Sequence, residues 1–109
     1  MSKKLIPTIL ILHSTDLEER LIAESEASGL SKSKTARLAV DRGFAHVLQL
    51  SRAQIMARTQ TPHGVKLIEL PRIASHLTYQ TDNLLRSFAD GLCVPLWRIY
   101  SLSIDFGLE

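Results

Sequence analysis

Hydrophobic positions along the chain fall into short runs and spaced stripes, with polar residues between them. Thr8 to Leu12 is an unbroken β-branched and aliphatic stretch closed by His13-Ser14-Thr15-Asp16, a pattern that predicts a strand. Ser14, Thr15 or Asp16 can then cap a helix, with Glu18 and Glu19 in the first turn where the helix dipole favours negative charge. Leu17, Leu21, Glu24 and Ala27-Ser28 give that helix a partly apolar face, and Gly29 stops it. Ser31 or Ser33 starts a second helix, on which Ala36, Ala39, Val40 and Phe44 recur at three- and four-residue steps. Gly43 weakens it locally, but no breaker interrupts Ala45 to Ala57, so the helix resumes or continues there.

Thr59-Gln60-Thr61-Pro62-His63-Gly64 has the composition of a linker. After it the order repeats. Val65 to Leu70 predicts a strand that Pro71 ends. Ile73, Leu77, Leu84 and Phe88 then set one stripe on a helix reaching Asp90-Gly91. Pro95, Leu96, Ile99, Tyr100, Ser103 and Ile104 outline a final helix. Strand, helix, glycine, helix thus occurs twice. Val40-Asp41-Arg42-Gly43-Phe44 resembles Ile104-Asp105-Phe106-Gly107-Leu108, 64 positions on. The strands align at a smaller offset, which assigns several extra residues to the first helix and turn of the second unit. Neither unit can fold alone, because a single strand has no partner and two short helices leave a large apolar face uncovered. The expected fold is therefore one domain over residues 1–109, mostly α with a two-stranded antiparallel β-ribbon, in the order β-α-α-β-α-α. Residues 5–58 form the first unit, 59–64 the linker and 65–109 the second, divergent unit.

The first unit resembles the ribbon-helix-helix proteins of the Arc/MetJ superfamily. The likeness is carried by residues 8–44: the strand, Leu17, Leu21, then Gly29-Leu30-Ser31-Lys32-Ser33 as the family's G-x-S-x-S turn, and Ala36-Arg37-x-Ala39-Val40 opening its second helix. The turn of the second unit, Gly91-Leu92-Cys93-Val94-Pro95, lacks those serines and the lysine. The whole chain resembles tandem forms in which one polypeptide replaces a homodimer. The resemblance implies a cytoplasmic, plasmid- or phage-type DNA-binding protein without cofactor or catalytic site. Its partner is double-stranded DNA, with self-association on DNA possible, and its role is transcription regulation as a repressor. The alternatives are an accessory protein of a conjugation or plasmid DNA-processing complex, or a protein-interaction module that uses an apolar ribbon face.

In this family alternate strand residues enter the major groove, where base edges are distinguishable. The family register points Thr8, Leu10 and Leu12 outward and Ile9, Ile11 and His13 inward. In the second strand the outward set is either Lys66, Ile68 and Leu70 or Val65, Leu67 and Glu69. Such a ribbon is poor in hydrogen-bonding groups. A one-residue slip would reverse every face; otherwise the outward side binds protein, or DNA is held mainly through phosphates. A phosphate clamp is expected where the second helix begins. Its free amides and dipole favour an anion, Ser31 and Ser33 add hydroxyls, and Lys32 and Lys34 add charge. Lys3 and Lys4 form a basic arm.

Charge sharpens this picture. The formal total is +2. Residues 16–28 carry Asp16, Glu18, Glu19, Glu24 and Glu26 against Arg20, a net of −4, whereas residues 29–58 carry Lys32, Lys34, Arg37, Arg42, Arg52 and Arg58 against Asp41, a net of +5. That polarity suits an anion-binding face. Composition adds exclusions. With one cysteine, Cys93, no internal disulfide framework exists. His13, His46, His63 and His76 lack metal-ligand spacing, and no glycine-rich phosphate loop occurs. Lys3-Lys4 ahead of an apolar run resembles a signal peptide, but Pro7 interrupts it and no small-residue cleavage site follows.

Overall fold

The computed structural model describes residues 4–109. Strand β1 (Leu5–Ile11) leads into α1 (Thr15–Ser28), α2 (Lys32–Val47) and a short α3 (Arg52–Arg58). A single 3-10 turn at Leu67–Glu69 precedes β2 (Arg72–Thr78), which is followed by α4 (Tyr79–Leu92) and α5 (Leu96–Gly107). The order β-α-α-α-β-α-α corrects the expected β-α-α-β-α-α. The third helix is separate because Ser51 makes a full capping box with Gln54, each side chain bonding the other's backbone amide. The mostly helical content and the two-stranded antiparallel sheet match the expectation.

The second strand lies further along the chain than Val65–Leu70. That segment holds the 3-10 turn, closed by Glu69 N donating to Lys66 O at 2.9 Å and Leu70 N to Leu67 O at 3.1 Å. Pro71 begins the pairing instead of ending it. It has no N–H to donate, but its carbonyl accepts from Leu12 N at 2.9 Å. From there burial alternates strictly. Ile73, Ser75 and Leu77 are inward, while Arg72, Ala74 and His76 are exposed. β1 and β2 pair from Leu5 opposite Thr78 to Ile11 opposite Arg72.

From the first helix of each unit onward, the two halves of the molecule follow one spacing. Ser14 caps α1 and Thr78 caps α4, 64 positions apart, each accepting an amide three residues on. Both helices are 14 residues long, so the second unit has no extra residues in its first helix. Leu21 and Leu85 are both buried. Gly29 and Cys93, again 64 apart, both end their helices in the left-handed region, at φ 73° and 54°. Ser31 and Pro95 then precede α2 and α5.

The core lies between the ribbon and the helices, and α2 against α5 is its central contact. Here the two helices touch backbone to backbone. A Cβ on Gly43 would stand 1.9 Å from Ser103 O, and one on Gly107 would stand 1.8 Å from Ala39 O. Ala39 and Ser103 are themselves 64 apart, so the contact is reciprocal, as across a two-fold axis. α2 also packs on β2 and α5 on β1. Leu10, Leu12, Leu77, Val40 and Ile104 fill the space between, all fully buried. Among the described residues no helix is long and apolar enough to cross a membrane.

Candidate nucleic-acid interface

The ribbon faces are set by which residues can leave water. Leu10 and Leu12 are both 0% exposed and belong to the core, whereas Ile9 is 58% exposed. Leu10 and Leu12 therefore do not face outward, and the register is one residue away from the expected one. Thr8 shares their inner side; it is half-buried, lies opposite Ser75 and donates its hydroxyl to Ile6 O at 3.1 Å. A strand can bury only one of its two alternating sets, and the set packed toward the helices is the one that carries Leu10 and leads on to Leu12. His13 is inward as expected, at 8% exposure. Lys66 and Glu69 are both exposed but lie at the 3-10 turn ahead of β2, off the ribbon.

The outer face then consists of Leu5, Pro7, Ile9 and Ile11 from β1, and Arg72, Ala74 and His76 from β2. The paired positions are Ile11 with Arg72, Ile9 with Ala74 and Pro7 with His76. Arg72 is steadied by the turn before it, where Nη1 donates to Leu70 O at 3.2 Å and more weakly to Leu67 O and Ile68 O. Sequence reasoning did not place Arg72 and His76 at the interface. The signal was the alternation from Arg72 to Leu77, masked because Ile73 and Leu77, four apart, also fit a helical stripe.

The start of α2 lies beside β2. Ser75 donates its hydroxyl to Ser33 O at 2.6 Å, tying the first turn of the helix to the strand. Ser31 caps the helix, with its hydroxyl accepting from Lys34 N at 3.1 Å. Ser31, Lys32 and Lys34 are exposed and Ser33 is half-buried. The four residues expected to form a phosphate clamp thus stand together at one helix start, and the α2 first turn has no acidic residue. Lys4 is exposed at the opposite end of β2, with its carbonyl accepting from Tyr79 N at 3.0 Å. Lys3 lies outside the described residues.

The corresponding start of α5 is different. Pro95 offers no side-chain cap, and Leu96 and Trp97 follow it. Arg98 turns away toward the end of α3, where Nη1 donates to Thr59 O at 2.7 Å and to its hydroxyl at 3.1 Å, and it stacks over the Trp97 ring at 4.7 Å. Burial pushes its guanidinium pKa down.

Two polar groups sit inside the fold. His13 Nδ1 lies 2.6 Å from Ser101 Oγ, and its Nε2 lies 3.9 Å from Asp105, which Arg20 holds by a 2.6 Å ion pair. Ser101 is 0% exposed, so this Ser-His-Asp set is an internal tie between the β1–α1 connection and α5. Tyr100 donates to Asp82, whose other oxygen accepts from Arg86 Nε at 2.8 Å. Burial, then the Asp82 carboxylate, raises the Tyr100 pKa. Among the described residues no group of three His, Cys, Asp or Glu side chains is arranged to hold a metal ion. No family model matches the chain, and neither does any curated protein or solved structure.

Proposed function

We propose that this protein binds duplex DNA, with the ribbon in the major groove and the start of α2 on the phosphate backbone. One observation carries this reading. The outer side of β2 presents Arg72 and His76, and the inner side of the same strand is tied through Ser75 to the first turn of α2, where Ser31, Lys32 and Lys34 are exposed. A two-stranded ribbon fits the major groove. Arginine is the commonest partner of guanine there, and an alanine such as Ala74 suits a thymine methyl. Free amides at a helix start take a phosphate, and the lysines add charge. The likeness to ribbon-helix-helix proteins supports the same arrangement and transcription regulation as its use.

A salt series with purified protein and labelled duplexes tests this. Binding is expected to fall steeply as salt rises. Lys32→Ala with Lys34→Ala is expected to weaken binding equally on all sequences and to lower the salt slope by about 2. Absence of binding at low salt would sink the proposal.

A second reading rests on β1. Leu5 at 41%, Ile9 at 58% and, in the neighbouring turn, Ile68 at 79% exposure leave apolar surface near the ribbon, as surfaces that associate with protein do. Self-association in the absence of DNA, measured by analytical ultracentrifugation, is the result that would favour it.

A further inference from the structure

The two-fold arrangement of the backbone is not matched by the chemistry it carries. On the outer ribbon face β2 carries Arg72, Ala74 and His76, whereas β1 carries only Leu5, Pro7, Ile9 and Ile11. At the helix starts, Ser31, Lys32, Ser33 and Lys34 have Pro95, Leu96, Trp97 and Arg98 as their counterparts 64 positions on. Only the last of these is a cation, and its guanidinium is drawn to Thr59 and stacked on Trp97. α2 packs on β2 and α5 on β1, so the strand that carries Arg72 and His76 packs on the helix that begins with the lysines, and the strand with the apolar outer face packs on the helix that begins after Pro95.

From this we infer that the DNA contact is one-sided: one molecule reads a single, non-palindromic site, with β2 supplying the base contacts and α2 the phosphate contacts. The inference rests on the DNA-binding reading above and adds the kind of site. Palindromic operators mirror two protein halves that carry the same reading residues. Here the second half cannot repeat the contacts of the first. Leu5, Pro7, Ile9 and Ile11 have no side-chain donor or acceptor for a base edge, and Pro95 removes one of the amides at the start of α5, where neither Leu96 nor Trp97 adds a charge.

Selection from a randomised duplex pool, followed by hydroxyl-radical footprinting on the enriched sequence, tests this. The expected outcome is one contiguous motif without an inverted repeat, with protected sugars clustered toward one end. Arg72→Ala should cost about tenfold or more on the enriched motif and little on scrambled DNA, while Ile9→Ala should change both by less than about twofold. Both side chains are exposed, so neither change opens the core. An enriched inverted repeat with both halves equally protected would overturn the one-sided site while leaving DNA binding intact. A cost for Ile9→Ala as large as that for Arg72→Ala would overturn it in the same way. Failure to retain any duplex at low salt would overturn the DNA-binding reading itself, and the inference with it.

Discussion

At the scale of single residues, His13 shows how a buried polar group ties the ribbon to the helices. Its backbone amide donates to Ser101 Oγ at 2.8 Å, and the same oxygen lies 2.6 Å from Nδ1. Ser101 Oγ thus joins the backbone amide and the imidazole of His13, whose Nε2 faces Asp105 at 3.9 Å. Burial disfavours the charged ring and is the largest influence on it; Asp105 opposes this, and Arg20 and Arg98 add to it, leaving the pKa below its ordinary 6.5. The unfolded chain therefore takes up a proton at His13 before the folded one does. The stabilisation is complete above about pH 6.5 and is lost as pH falls toward the depressed folded value, with a slope no greater than about 1.4 kcal/mol per pH unit. Urea midpoints should drop between pH 7.5 and 5.5, and His13→Asn, whose amide oxygen can accept from Ser101, should reduce the drop. An equal drop in both proteins would exclude His13 as its source.

At the scale of elements, the caps were more legible than the strands. Ser14 and Gly29 bound α1 where their chemistry puts them, because an oxygen side chain before a helix and a glycine after it each do one local job. The second strand was not legible. Val65–Leu70 has the apolar content of a strand, yet it turns, and the true β2 buries only Ile73, Ser75 and Leu77. Content is a local property, whereas pairing depends on what lies opposite, here the inner side of β1. Nor was the direction of the ribbon faces legible, since Thr8 to Leu12 is apolar on both sides and only packing distinguishes them. The end of α4 was also displaced: Gly91 stays inside the helix and Cys93 takes the left-handed position. Val94 N donates to Ala89 O at 3.0 Å and Cys93 N to Asp90 O at 3.2 Å, the double closure of a Schellman turn. A side chain at positive φ costs about 1 kcal/mol that glycine avoids. Cys93→Gly should therefore raise the unfolding free energy by up to about 1 kcal/mol in urea titration. A loss would mean that the exposed thiol makes a contact worth more than the relieved backbone.

At the scale of the whole molecule, the two halves are joined by the ribbon above and by α2 against α5 below. The similarity of residues 40–44 to 104–108 was visible in the sequence, and its physical content is the reciprocal approach at Gly43 and Gly107. Both glycines are helical, at positions where alanine would ordinarily gain about 0.5–1 kcal/mol. Gly91 is such an ordinary position, since a Cβ there meets nothing within 4 Å. Gly43 is not, because the added methyl would stand 1.9 Å from Ser103 O and 2.6 Å from Gly107 N, both backbone atoms of the facing helix. No rotamer change relieves that contact; the helices must separate, which loosens the packing of Val40 and Ile104 on either side of the crossing. One chemical change at two helical glycines should thus have opposite signs. Gly91→Ala should stabilise by about 0.5–1 kcal/mol, and Gly43→Ala should destabilise by about 2 kcal/mol or more, in the range of core overpacking. Urea denaturation of the two variants beside the parent protein measures both. If Gly43→Ala also stabilised, the helices would not cross as closely as the backbone distances require, and the one geometric feature that relates the two halves would be lost. A destabilised Gly43→Ala protein that still folds would separate the roles further: the outer ribbon face lies across the core from this crossing, so duplex binding should weaken only as the folded fraction falls.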